Sequence, residues 1–377
     1  MPMSEIELDA PKFREWLVTA ISRLGETTIT ELALENITRP AAGQSNETLL
    51  FDAVWHNGRT RRRAKLVARL QPSGQQIFLG ADVVREGRVI DGVYAAGTAP
   101  VPQVIGTEAD RSILGRPFFV MRQVAGRVPL ARPSIHKVGW LTELTIDERK
   151  TLWSSAMDAL VAVHRTDWAS YHDFLLDGMD ANGLLQRHVE RLVDWYRWTT
   201  QGRRYPIADA GIARLVIGLP SVTTTDPVLV WSDARIGNMI FGADNTVAAV
   251  IDWEVATIGS PAIDLAHWLF FDDFMTDASG VAPLAGWPDR TTTIAEYEAR
   301  SGRTVADLAY FELMEEVFMA TTLIRQSDFR VERGLARAET RMGHDNAVTQ
   351  MLARRLGLAL PPLSPDYLAH RGLQVPA

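Results

Sequence analysis

The sequence has no cysteine. Disulfides, thiolate metal sites and a cysteine nucleophile are therefore excluded. No apolar run approaches the roughly 18 residues that cross a bilayer. The first residues lack a charged region followed by an apolar stretch, so no signal peptide is expected. There is no basic excess: 39 basic against 46 acidic residues give a net charge of −7, which argues against a nucleic-acid partner. The one basic run, Arg59 to Lys65, reads as a solvated strand end. Internal repeats, low-complexity segments and a nucleophile elbow of the hydrolase kind are also missing. What remains is a 377-residue chain, 46% hydrophobic, long enough for two domains with cores of their own. We expect it to be soluble and cytoplasmic, without membrane or nucleic-acid partners.

The first third predicts a helix and a sheet. Asp9 to Leu24 has apolar residues at helical spacing and ends at Gly25. Ile29 to Thr38, Thr48 to His56 and Thr60 to Leu70 alternate as strands, the last two joined by the hairpin signal Asn57-Gly58. Between the first two lies a loop of small polar residues, Gly43-Gln44-Ser45-Asn46, of a kind whose backbone N–H groups can lie over phosphates. A plain hairpin connection is the simpler reading of it. Lys65 and Arg69 point to the same face of the third strand. A helix over about 78–96 carries Glu86, which can form an ion pair with a strand cation. Two further strands, 101–108 and 117–121, flank a turn at 110–115, and a domain boundary falls near residue 123.

Beyond it the pattern is helical. Thr145 and Glu148 form a capping box for a helix to His164. Helices follow over 184–200 and 208–219, then from Pro261, and in the tail over 292–301, 305–325 and 332–356. His164 reads as structural. Asp264 reads as a first-turn carboxylate favoured by the helix dipole, with metal binding as the alternative.

Residues 228–254 carry the chemistry. Val228 to Trp231 enter as an apolar strand, and Met239 to Phe241 and Val247 to Ile251 frame a turn at Gly242 to Asn245. Asp233, Asn238 and Asp252 stand at the strand ends. Such a set can position a hydroxyl and hold Mg²⁺, which prefers oxygen ligands and takes only one or two carboxylates from protein.

Three strings together resemble the aminoglycoside phosphotransferase and choline-kinase-like family. They are Trp231-Ser-Asp233-Ala-Arg-Ile-Gly-Asn238, Ile251-Asp252-Trp-Glu254, and Gly259-Ser-Pro-Ala-Ile-Asp264-Leu-Ala. The branch found fused to acyl-CoA dehydrogenases is the most similar. Gly43 to Asn46, Arg85-Glu86 and His164 to Trp168 extend the match over about residues 35–270. The resemblance implies an α+β, protein-kinase-like bilobal fold. Its N-lobe (1–122) would be an antiparallel sheet plus helix, followed by a hinge (123–127) and a larger, mainly helical C-lobe (128–377). It implies ATP and Mg²⁺, with Asp233 orienting the acceptor hydroxyl and Asn238 and Asp252 on the metal. Gly43, Gln44, Ser45 and Asn46 would cover the phosphates. Arg69, paired with Glu86, would contact the α/β-phosphates in place of the usual lysine, with Lys65 the other candidate. Met121, Gln123 and Val124 would receive adenine through backbone. The family's His-Gly before the catalytic aspartate is Trp231-Ser232 here. The function implied is phosphoryl transfer from ATP to a hydroxyl of an aminoglycoside-like or other small hydroxylated acceptor. The alternatives are a kinase of a hydroxy acid or hydroxyacyl thioester, and a catalytically weak nucleotide-binding protein. The expected acceptor wall, helices over 184–218 and the tail from 265, mixes acids with aromatics such as Trp195, Trp268, Phe271 and Trp287.

Overall fold

Alternating apolar and polar residues fold the first third of the chain into strands whose two faces meet different partners. The computed structural model describes residues 8, 10–25, 29–39, 47–72, 74, 76–130, 132–180, 183–222 and 226–372. The chain divides into two units, Met1–Ala125 and Gly126–Ala377. The first holds α1 (Pro11–Ser22), β1 (Thr30–Thr38), β2 (Glu47–Asn57), β3 (Thr60–Leu70), α2 (Val83–Ala96), β4 (Val104–Glu108), the one-turn α3 (Arg111–Leu114) and β5 (Phe118–Arg122). The strands form an antiparallel sheet in the order β1-β2-β3-β5-β4. β2 and β3 pair without a break from Glu47↔Leu70 to Asn57↔Thr60, and Gly58 supplies the positive φ of 59° that the tight turn needs. One face, with Phe51, Leu66 and Phe118, packs on Phe13 and Leu17 of α1. The other face carries Lys65, Val67 and Arg69, because side chains alternate with period two.

α2 approaches the sheet closely at Gly87, where a Cβ would lie 2.6 Å from Thr107 and 3.0 Å from Phe119. This helix begins at Val83 rather than near residue 78. Asp82 sets the start by accepting from the N–H groups of Val84 and Arg85.

The second unit contains α4 (Ile146–His164), α5 (Trp168–Tyr171), α6 (Leu184–Thr200), α7 (Pro206–Gly218), β6 (Val228–Val230), β7 (Met239–Phe241), β8 (Val247–Val250), β9 (Thr257–Gly259), α8 (Ala262–Met275), α9 (Arg290–Ser301), α10 (Leu308–Glu332), α11 (Ala347–Leu356) and α12 (Pro365–Arg371). The Thr145/Glu148 capping box of α4 is formed in both directions. β7 and β8 make the expected hairpin, but β6 pairs instead with β9, a strand of three residues. α10 runs on to Glu332. The helix expected from residue 332 begins only at Ala347, where Asn346 caps it together with Thr349. α12 follows the two prolines, with Ser364 as cap and Pro365 in its first turn. α8 is buried on nearly every side, and Trp268 on it meets Trp153 of α4 edge-on.

Candidate active site

The two short sheets of the second unit exist to hold loops. β6 ends at Val230, and the next eight residues carry Asp233, Arg235 and Asn238 before β7 begins. Asp233 Oδ1 accepts two hydrogen bonds, from Arg235 Nε and from His267 Nε2, both at 2.9 Å. Oδ2 takes none from the described residues and is open to solvent. Burial alone would raise the pKa of Asp233. The Arg235 guanidinium and the His267 imidazole outweigh it and hold the carboxyl well below the usual carboxylate range. His267 is in turn backed by Glu315 of α10, Nδ1 to Oε1 3.0 Å. Burial disfavours its imidazolium, but Glu315 and Asp233 on either side hold its pKa up at about 10. Gly237 makes room for this arrangement, since a Cβ there would lie 2.5 Å from Arg235 Nη1.

The Trp231-Ser232 pair that departs from the family pattern is built into the loop. The Trp231 ring is fully buried, and its Nε1 donates to the carbonyls of Ile251 and Asp252, each at 3.0 Å. It thereby ties the loop of Asp233 to the loop of Asp252. Ser232 takes a φ of +66°, the left-handed region that glycine enters without cost. Its amide donates to Asp264 Oδ1 at 2.6 Å, and the Trp231 amide donates to Oδ2 at 2.7 Å. His164 Nε2 also meets Oδ2 at 2.9 Å. Asp264, in the first turn of α8, is fully buried and serves the loop backbone. His267 stands three residues further along α8, so both side chains address the same loop.

Ile251 N donates to Asn238 O at 3.0 Å, which sets Asn238 across from the residue that precedes Asp252. The Asn238 amide nitrogen donates to Asp233 O at 3.2 Å, which turns its Oδ1 away as an oxygen ligand. Asp252 is itself left-handed, with φ +68°. One amide oxygen and one carboxylate fit Mg²⁺ that completes its shell with water and phosphate. Among the described residues no cluster of three His, Cys, Asp or Glu offers a self-sufficient metal cage.

In the first unit, Arg69 Nη2 lies 3.1 Å from Glu86 Oε1 and 3.4 Å from Oε2, and the Glu86 side chain is 2% exposed. Lys65 on the same face is exposed. Gln123 N donates to Lys65 O at 2.9 Å, extending the β3–β5 pairing past Arg122. Met121 lies within that pairing opposite Val67, and Val124 follows it, half-buried. Gly43, Gln44, Ser45 and Asn46 fall outside the described residues.

Beside Arg235, within the second unit, a concavity of about 360 Å³ including its mouth is lined by Leu130, Ile135, Trp268, Phe271, Met275 and Trp287, with Arg235 and Asp272 as its charged groups. Arg235 lies 4.9 Å over the Phe271 ring. Asp272 accepts from Trp287 Nε1 at 3.2 Å, and burial pushes its pKa up to about 7. Of the aromatics read as a possible wall, Trp268, Phe271 and Trp287 line this pocket, while Trp195 is core. Glu312 and Glu316 are tied to Arg355 instead. Sequence reasoning left His267 without a role and counted Glu315 only among the acids of the acceptor wall; the i, i+3 spacing of Asp264 and His267 was the signal available for the first.

The curated relatives include mouse acyl-CoA dehydrogenase family member 10, 30% identical over 209 residues, which cover 54% of this chain and 18% of that protein. Rat acyl-CoA dehydrogenase family member 11 is 27% identical over 247 residues, 63% of this chain and 28% of that protein. The chain thus matches less than a third of the length of either relative. Among solved structures, a Ralstonia eutropha protein assigned as an aminoglycoside phosphotransferase superposes with a TM-score of 0.62 at 22% identity, covering 90% of this chain and 98% of that one. A ternary complex of an aminoglycoside phosphotransferase, APH(4)-Ia, with AMP-PNP and hygromycin B gives 0.53 at 15% identity, covering 92% and 99%. These likenesses establish the kinase-like fold. Residues 36–303 match the phosphotransferase enzyme family, and with Asp233, Asn238 and Asp252 all inside that span, the chain is a member of it.

Proposed function

We propose that this protein is an ATP- and Mg²⁺-dependent kinase that phosphorylates a hydroxyl of a small acceptor with an apolar body. The observation that carries the reading is Asp233: one carboxylate oxygen pinned by Arg235 and His267, the other open to solvent, beside an aromatic pocket. The acceptor hydroxyl donates to Oδ2 and is thereby aimed at the γ-phosphorus of ATP. The O–P bond forms as the bond to ADP breaks. The held-down basicity of Asp233 suits it to orienting the hydroxyl first and taking its proton late, as a loose phosphoryl transition state requires. Asn238 and Asp252 would hold Mg²⁺, which neutralises phosphate charge when bound. Arg69, fixed by Glu86, would contact the α/β-phosphates, and the backbone at Met121, Gln123 and Val124 would receive adenine.

The pocket favours a hydroxy acid or hydroxyacyl thioester over an aminoglycoside. A polycation needs several carboxylates, whereas this lining offers one carboxyl, half neutral near pH 7, and an arginine. The names of the relatives point the same way, toward acyl thioesters. The test is ATP consumption by purified protein against aminoglycosides, choline-like amines, sugars, and hydroxy acids with their thioesters. Turnover is expected with the last group, and Asp233→Asn should lower kcat by about 10²–10⁴-fold. Binding of ATP with no acceptor phosphorylated would overturn the catalytic reading. Preference for a polycation would overturn the acceptor class alone.

A further inference from the structure

Three arginines and a histidine from three segments of the second unit converge without a carboxylate among them. Arg132 precedes α4, Arg330 lies in the last turn of α10, and His370 and Arg371 lie in the last turn of α12. Arg132 Nη1 is 2.9 Å from Nδ1 and 2.7 Å from Nε2 of His370, and Arg330 Nη1 is 3.2 Å from the same Nδ1. Arg330 Nη2 donates to Leu335 O, while its Nε is buried with no partner. Arg371 is 7% exposed, reaches the Met275 sulfur at 3.9 Å and lies over the Phe274 ring. Among the described residues none of the three guanidiniums forms an ion pair.

This is an excess of donors. Each guanidinium carries five N–H donors and no acceptor. Burial and the surrounding arginines push His370 down to about 4, so its imidazole is neutral and offers one lone pair to two guanidiniums. Arg132 and Arg371 are likewise lowered by burial and by positive neighbours, Arg330 beside the first and Arg132 beside the second. Three like charges held together in part-buried surroundings call for a ligand of opposite charge with several acceptor oxygens. A phosphate dianion meets three cations better than a single carboxylate does, and guanidinium forks match its edges.

We propose that Arg132, Arg330, Arg371 and His370 form a binding site for a phosphate group, either free phosphate or the phosphomonoester of a small molecule. The site stands apart from Asp233 and does not depend on the kinase reading. It adjoins the aromatic pocket, because the Met275 that Arg371 touches also lines that pocket.

The test is calorimetric titration of the full chain with inorganic phosphate and with glycerol 3-phosphate, at ionic strength held constant with chloride. Arg132→Gln, at the exposed edge, should weaken both ligands about tenfold, the loss of one charge-assisted contact. Arg132→Gln/Arg330→Gln should abolish binding, and Arg23→Gln, at an exposed arginine just past α1, should leave it intact. Without phosphate, the melting temperature of Arg132→Gln should hold or rise, since one like charge is gone. Tighter binding of glycerol 3-phosphate than of phosphate would assign an organic ester, and equal binding free phosphate. The proposal falls if phosphate binds no better than chloride or acetate, or if the double variant binds as the wild type does.

Discussion

Ser232 is where the sequence departs from its family at the smallest scale, and the departure has a cost. A side chain in the left-handed region is disfavoured by about 1 kcal/mol. The Ser232 hydroxyl is also buried without a partner. Ser232→Gly removes both penalties while keeping the amide that Asp264 holds. We expect the variant to melt higher than wild type with kcat preserved; a lower melting temperature would mean the hydroxyl has a partner in solution. Asp272 shows the same logic with charge. Its pKa of about 7 in the fold lies above the roughly 3.9 of an unfolded aspartate, so the fold favours the protonated form. That contribution is complete below about pH 4 and is lost as pH rises through about 7, above which a buried carboxylate remains as a fixed burden. Asp272→Asn keeps the acceptor for Trp287 and removes the titration. Its stability relative to wild type should rise between about pH 4 and 7 and level off above. Urea unfolding across that range measures the difference, and a flat profile would contradict the assignment.

At the scale of elements, the loop of Asp233 is held by two crossings, one from α8 and one from Trp231. Asp264 secures the amides of Trp231 and Ser232, and the Trp231 indole secures the carbonyls at the end of β8. Trp231→Phe fills much of the same space but leaves both carbonyls without that donor. It should cost about 1–3 kcal/mol, the penalty of an unmet buried polar group. It should also lower kcat more than it raises the KM for acceptor, because the tie joins Asp233 to Asp252; equal kcat in both proteins would show the tie to be structural only. The sequence made some of this legible and hid the rest for physical reasons. The β2–β3 hairpin was readable because alternation and Asn57-Gly58 act locally, and α4 because Thr145 and Glu148 cap it within one turn. β9 was hidden because three residues, Thr257–Gly259, carry no periodicity and their partner β6 is remote in sequence. The break between α10 and α11 was expected over 326–331 and falls instead at 333–346, because it is set by Gly334 and the Asn346 cap rather than by loss of apolar residues. Asp233, Asn238 and Asp252 were readable as a set, whereas the support from His267 and Glu315 needed the orientations of α8 and α10.

For the molecule as a whole, the two units divide the labour of the proposed reaction, with the Arg69–Glu86 pair in the first and Asp233 in the second. A ligand that binds only the folded state stabilises it by RT ln(1 + [L]/Kd), about 2.7 kcal/mol at a hundredfold excess over Kd. For domains of this size that corresponds to several degrees of melting temperature. Mg²⁺ with AMP-PNP should therefore raise the melting temperature, and variants in the two units should respond differently. Removing Arg69 alone would strand a buried carboxylate, since Glu86 is 3% exposed. Arg69→Gln/Glu86→Gln removes both charges together and isolates the effect on nucleotide. This double variant should lose most of the shift, while Asp233→Asn should keep the shift and lose turnover. Retention of the full shift in the double variant would move the phosphate contact off Arg69, with Lys65 next on the same face of β3.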